Sequence, residues 1–92
     1  MNRKDILDAA LAHTCEREDS YGDPKQNMAD IGSLWTTYMS RKHGAPSRCE
    51  ITAEDVAWML NLLKMARSFT TKKPDTYEDA AAYAAIAGEC AV

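Results

Sequence analysis

The sequence lacks any apolar run near the length of about 20 residues with which a helix spans a bilayer. Residues 1–5 contain neither the apolar stretch nor the small-residue cleavage site of a secretory signal peptide. No segment alternates apolar and polar residues in the pattern of a half-buried strand. These absences predict an all-α protein that stays in the cytoplasm and does not contact a membrane.

Cysteine is scarce, and its spacing argues against metal and disulfide sites. The sequence contains three cysteines, Cys15, Cys49 and Cys90. Their number is odd and no two of them form a C-x-x-C pair, as expected of reduced thiols in a cytosolic protein. Neither His13 nor His43 lies at metal-ligand spacing from a cysteine. The sequence therefore predicts no zinc site.

Positive charge is not in excess. The formal net charge is −3 at pH 7, whereas a protein that binds duplex nucleic acid normally carries a basic face. The basic pairs at residues 41–42 and 72–73 lie beside predicted helix ends, where a positive charge interacts favourably with the helix dipole. We therefore expect no duplex nucleic acid as a partner.

Apolar residues recur at helical spacing in four segments of what we expect to be a single domain, residues 1–92. The first segment covers residues 2–19 and the second covers residues 24–42. A Gly-Asp-Pro sequence at residues 22–24 separates them and suits a turn followed by a helix cap. The predicted buried stripes are Ile6, Leu7, Ala10, Leu11 and Cys15 in the first helix, and Met28, Ile31, Leu34, Trp35, Tyr38 and Met39 in the second.

The third and fourth helices begin with the same T-x-E-D pattern, which resembles a capping box. It occurs at Thr52, after a loop that ends near Ile51, and again at Thr76. Nine of the eleven residues 56–66 are apolar, so this helix is predicted to be central or to face another subunit. Trp58 falls within its apolar stripe, and core packing is the default prediction for it. Six of the eight residues 80–87 are alanine, which allows close helix packing. We therefore expect a compact bundle of about four helices.

A polar cluster connects the third and fourth helices. Asn61 and Lys64 share one face of the third helix, Arg67 continues near it, and a short turn leads to Asp75 and Asp79. One interpretation is a structural ion pair, with Asp75 and Asp79 as the expected partners of Lys64, that fixes helix register, with Asp79 also capping its own helix. The other is a pocket, level with Tyr83, in which Lys64 and Arg67 bind phosphate or another anion and the aspartates hold a cation or act as a base.

A second candidate site lies at the turn between the first two helices. Tyr21, Gly22, Asp23 and Asn27 surround a helix N-terminus, whose free N–H groups can bind an anion. However, Asp23 at the cap position fills that role and would repel phosphate. The sequence contains no Walker loop or Gly-x-Gly-x-x-Gly motif, and no serine–histidine–acid arrangement can be argued. Catalysis is left open.

Short motifs extend over roughly residues 6–89. They are Arg17-x3-Tyr21-Gly22-Asp23, Asn27, Leu34-Trp35-x2-Tyr38, Glu54-Asp55-Val56-Ala57-x-Met59, Leu62-Leu63-Lys64-x-Ala66-Arg67 and Asp75-x3-Asp79-x-Ala81-x-Tyr83-Ala84. Together they resemble a family of small phage and prophage proteins of unknown function. The resemblance implies a phage-encoded protein in the cytoplasm of a bacterial host, and it implies no particular activity.

The same features are more distantly similar to the nucleotide-modification-associated domain of phages and to the all-α nucleoside triphosphate pyrophosphohydrolases. The latter bind magnesium through Glu-Glu-x-x-Glu on one helix and Glu-x-x-Asp on the next. Here Asn61, Lys64 and Arg67 stand where carboxylates are needed, Thr76 occupies the first position of the second motif, and Asp79 alone matches. A pyrophosphohydrolase of that design is therefore not expected.

Two functions remain open at this point. The leading hypothesis is a phage accessory protein that binds a nucleotide or nucleotide-like anion, with magnesium as an accompanying cofactor. It would act in nucleotide metabolism or sequester a host defence signal. The alternative is a non-catalytic, oligomeric interaction module that binds a host or phage protein. Because the third helix is apolar on two sides, we also predict a homo-oligomer, most simply a dimer, with an interface built by the third and fourth helices.

Overall fold

The computed structural model describes residues 1–44 and 50–91. They form four helices: α1 (Arg3–Tyr21), α2 (Pro24–His43), α3 (Ala53–Ser68) and α4 (Pro74–Cys90). No strand occurs in the described ranges, which confirms the predicted all-α class and helix number. Within those ranges, no helix is long and apolar enough to cross a membrane. Most of the predicted loop after α2, including Cys49, lies outside the described residues.

The first three helices begin where their capping residues predict. The Asn2 side chain accepts a hydrogen bond from the Asp5 N–H, and Asp23 caps α2, in which Pro24 is the first residue. Thr52 and Asp55 form a complete capping box at the start of α3. These polar caps replace hydrogen bonds that the first turn of a helix cannot make internally.

The predicted start of α4 is wrong by two residues. The helix begins at Pro74 rather than at Thr76, and no side chain caps it. Proline is favourable at the first helical position because its φ is already helical and it has no N–H to satisfy. Asp79 therefore lies in the second turn, too far from the helix start to cap it, so that part of the structural interpretation is also wrong.

The core lies where α4 packs between α1 and α3, while α2 packs chiefly against α3. It consists of Met28, Val56, Ala57, Ile86 and Ala87. Two alanines of α4, Ala82 and Ala87, are 1% and 0% exposed. Alanine therefore serves close packing inside one subunit, and the short side chains permit the helix axes to approach.

The buried face of α1 is rotated from the predicted stripe. Leu7, Leu11 and Cys15 are exposed, whereas Ala10 is buried and His13 and Arg17 are half-buried. In α2, Met28 is buried and Ile31 and Trp35 pack against the core, but Leu34, Tyr38 and Met39 are exposed. The reason in α1 is that its contact with α4 uses polar side chains, which pair across the helix interface.

Only one face of α3 is inside the subunit. Val56 and Ala57 are fully buried, but Trp58 is 44% exposed and its indole N–H donates to the Glu54 carboxylate. The prediction that Trp58 packs in the core is therefore wrong. The sequence predicted that α3 is either central in the bundle or also faces another subunit. The exposure of Trp58 excludes an α3 that is wholly surrounded by its own subunit.

A close backbone contact fixes the start of α3 on α2. Gly32 is buried, and a Cβ built on it would collide with the Ile51 carbonyl oxygen. Beside it, the Thr36 hydroxyl donates to the Gly32 carbonyl at 2.7 Å and accepts from the Ile51 N–H at 2.9 Å. Glycine is needed because only a missing side chain allows two backbones to approach this closely.

Candidate functional site

A carboxylate shared by two cations is the centre of the polar cluster. The Lys64 amine lies 3.0 Å from one oxygen of Asp79, as the ion-pair prediction requires. The Arg17 guanidinium lies 3.2 Å from the other oxygen. The side chain of Asp79 is 13% exposed and that of Lys64 is 17% exposed, so the pair is largely withdrawn from water. Such burial demands a counter-charge, which Asp79 receives from both sides.

Arg17 is the residue that sequence reasoning did not assign to the site. Besides Asp79, its guanidinium donates to the Tyr83 hydroxyl at 3.2 Å and lies 5.4 Å from the centroid of that ring. One sequence signal was present. Arg17 follows Ala10 by seven residues, about two helical turns, and therefore shares the face of α1 that is buried against α4.

Two further polar contacts hold the same helices. The Asn61 side chain donates to the Ala80 carbonyl at 2.8 Å, which ties α3 to α4. His13 lies 3.3 Å from the Glu78 carboxylate and joins α1 to α4. Together with the shared carboxylate of Asp79, these contacts fix the register of three helices.

An open cleft of about 610 Å³ lies where α3 ends and α4 begins, and we call it the α3–α4 cleft. Three cations line it: Lys64, Arg67 and Lys73. The Asp75 carboxylate also lines the cleft but forms no ion pair within the described ranges, so its predicted pairing with Lys64 or Arg67 is not found. Arg67 and Lys73 likewise have no acidic partner among the described residues. Two positive charges thus remain free to bind an anion.

A smaller pocket of about 320 Å³ lies between α1, α2 and α4. Tyr21, Tyr83, Arg17 and Asn27 line it, so the structure brings the two predicted tyrosines together. Asp23 is not among the residues that line this pocket. Its carboxylate caps α2 by accepting the Lys25 N–H at 3.0 Å. Of the described residues that line this pocket, Arg17 is the one cation, and Asp79 and Tyr83 already engage it. The pocket therefore offers less free positive charge than the α3–α4 cleft.

Metal-binding residues do not gather in the part of the chain that the structure describes. No group of three or more His, Cys, Asp or Glu side chains there could hold a metal ion.

We expect Cys15 to be alkylated faster than Cys90 in the folded protein at neutral pH. Cys15 is exposed and Cys90 is half-buried. Burial raises the pKa of the Cys90 thiol; Lys25 opposes this, and the carboxylates of nearby acids add to it. A raised pKa leaves less thiolate, which is the reactive form. Peptide mass spectrometry after timed iodoacetamide treatment gives both rates, and equal rates would contradict the prediction.

The family model described as "Domain of unknown function (DUF6378)" matches residues 5–91. The chain belongs to this family. It is 42% identical to the Gene 55 protein of Mycobacterium phage L5 over 72 residues, which are 77% of this chain and 42% of that relative. It is 36% identical to the Gene 55 protein of Mycobacterium phage D29 over 70 residues, which are 75% of this chain and 41% of that relative. No solved structure matches the chain.

These matches confirm the predicted relation to phage proteins of unknown function. The matched segment spans less than half of either relative, 42% and 41% of their lengths. The family description and the names of the relatives specify no ligand or reaction. The more distant likeness to nucleotide-modification domains and to pyrophosphohydrolases stays a prediction.

Proposed function

We propose that the protein is a phage accessory protein that binds a nucleotide or nucleotide-like phosphate anion in the α3–α4 cleft. The observation that carries the proposal is the presence beside Lys64, in one cleft, of two cations that have no acidic partner among the described residues, Arg67 and Lys73. Such a ligand would be a metabolic nucleotide or a host defence signal. Binding without turnover is sufficient for either role.

The surroundings of these cations also support an anion. No side chain caps the N-terminus of α4, which opens into the cleft at Lys73, Asp75 and Thr76. A helix N-terminus attracts negative charge through its dipole. The dipole is the contribution that applies here, because Pro74 has no N–H and the Thr76 N–H donates to the Lys73 carbonyl at 3.2 Å. Asp75 opposes binding by its charge, unless a ligand brings a cation that Asp75 coordinates.

Thermal unfolding with ATP, AMP, a cyclic dinucleotide or inorganic phosphate, each with and without magnesium, tests the proposal. A ligand present at 100 times its dissociation constant adds about 2.7 kcal/mol of stability. In a domain of this size that is a rise in Tm of about 10 °C or more. Absence of a shift with every probe at millimolar concentration would overturn the proposal for these ligand classes.

Variants then locate the site. Arg67→Ala and Lys73→Ala should each abolish most of the shift, since each removes a cation that pairs with no acid in residues 1–44 and 50–91. Arg3→Ala, an exposed cation on α1 outside the cleft, is the matched control and should leave the shift unchanged. Loss of the shift in the control but not in the cleft variants would place binding elsewhere.

Asp75→Asn separates the two roles of that carboxylate. If Asp75 only repels the anion, the variant should bind the same probe more tightly, with or without magnesium. If Asp75 coordinates magnesium carried by the nucleotide, the variant should bind more weakly when magnesium is present.

The alternative function, a non-catalytic interaction module, is favoured by a different observation. Six large apolar residues of α3 and the turn after it are more than 40% exposed: Trp58, Met59, Leu62, Leu63, Met65 and Phe69. Soluble monomers rarely leave such a continuous apolar surface uncovered. If no nucleotide raises the Tm and the protein nevertheless associates through this apolar surface, the result would support the interaction module.

A further inference from the structure

An apolar stripe runs along the outward face of α3. Trp58, Leu62, Met65 and Phe69 follow one another at spacings of four, three and four residues, which places them on one face in the pattern of a coiled-coil seam. Their exposed fractions are 44%, 55%, 49% and 76%. We call these four residues the α3 stripe.

We propose that the α3 stripe is the interface of a twofold dimer, in which α3 of a second copy lies antiparallel to it. The apolar contacts of this dimer do not involve the anion site, because none of the four stripe residues lines the α3–α4 cleft. Arg67 and Lys73, at the basic end of α3, are shared between the two proposals. The sequence predicted an interface built by both α3 and α4. The proposed interface uses α3 alone, because α4 buries Ala82 and Ala87 inside its own subunit and α3 has the larger exposed apolar surface.

The charges at the two ends of α3 select a second copy in this orientation. Glu54 and Asp55 lie in the first turn, Arg67 lies in the last turn, and Lys72 and Lys73 follow it. An antiparallel pair brings the acidic end of each copy beside the basic end of the other, and opposes the helix dipoles. A parallel pair would bring like charges together. The surface is thus complementary to itself only when one copy is reversed.

The spacing of the stripe also fits a twofold axis. If the axis passes between residues 63 and 64, Trp58 faces the partner's Phe69 and Leu62 faces the partner's Met65. Every member of the stripe then contacts an apolar counterpart from the other copy. Closed twofold pairs of this kind are the commonest homo-oligomers, because both copies use the same surface.

Light scattering over about a tenfold concentration range tests the dimer. The expected mass at the upper end is twice the chain mass of 10.2 kDa. Leu62→Lys and Met65→Lys should each return the mass to that of one chain with an unchanged helical circular dichroism spectrum, because both side chains are about half exposed. Leu34→Lys, at a 69% exposed position on α2, is the matched control and should leave the dimer intact.

A charge exchange tests the antiparallel order. Lys72→Glu and Glu54→Lys should each raise the dissociation constant of the dimer by about tenfold, because each reverses the sign of one charge at both ends of the twofold interface. The double variant should restore most of the affinity. A double variant weaker than both single variants would overturn the orientation. A mass of one chain at every concentration would overturn the α3 interface. So would a dimer that Leu34→Lys dissociates and Leu62→Lys does not. The α3 stripe would then be the binding surface for a different protein.

Discussion

Replacing Asp79 by alanine is expected to lower the free energy of unfolding by about 2–4 kcal/mol, a large effect for one surface-proximal carboxylate. The reason is that Asp79, 13% exposed, is the shared counter-charge of Lys64, which is 17% exposed, and of Arg17, which is 36% exposed. Without it, two like charges face each other across the interface of α1, α3 and α4. Urea unfolding monitored by circular dichroism measures the loss.

Two other variants make this prediction specific. Lys64→Met should change stability by less than about 1 kcal/mol, because Asp79 keeps Arg17 as its partner and the new side chain is apolar. Asp8→Ala removes an ion-paired carboxylate that is 64% exposed, and should cost less than about 0.5 kcal/mol. A loss for Asp79→Ala as small as that for Asp8→Ala would show that the shared carboxylate does not stabilise the fold.

Lys64→Met also separates structure from function. If Lys64 serves only helix register, the variant should keep the full thermal shift produced by whichever nucleotide the wild-type protein binds. If Lys64 contacts phosphate, stability without ligand should be nearly unchanged while the shift is lost. The position of Lys64, paired with Asp79 and also lining the α3–α4 cleft, is compatible with both roles.

Replacing Gly32 by alanine is expected to destabilise the protein by about 1–3 kcal/mol or more. The added methyl group would meet the Ile51 carbonyl, which is backbone and cannot rotate away as a side chain does. The chain before α3 would have to move off α2 and weaken the two hydrogen bonds of the Thr36 hydroxyl. Thermal and urea unfolding both report the change.

Gly88→Ala is the matched control for Gly32→Ala. Gly88 also lies within a helix, but nothing lies within 4 Å of the position its Cβ would take. Alanine there should stabilise the protein by about 0.5–1 kcal/mol through its helix propensity. Equal effects at the two glycines would mean that the contact between Gly32 and Ile51 is not maintained in solution.

Local sequence features determined the helices and one contact of the site. The caps at Asp23 and Thr52 and the prolines and glycines between segments mark the helix boundaries within a few residues, because capping acts over one turn. That Lys64 pairs with an aspartate at the start of α4 was also predictable, although the choice between Asp75 and Asp79 was not. Lys64 and these aspartates lie close to the short turn between α3 and α4, so few arrangements of the chain separate them.

Only the tertiary structure decided which face of each helix is buried. Apolar periodicity identifies a stripe, but a helix can rotate by a fraction of a turn to bury polar groups that find partners, as α1 does with His13 and Arg17. Arg17 reaches Asp79 across 62 residues of chain, and Gly32 meets Ile51 because two segments cross. Contacts of this kind depend on how the helices pack, which spacing along one helix does not encode.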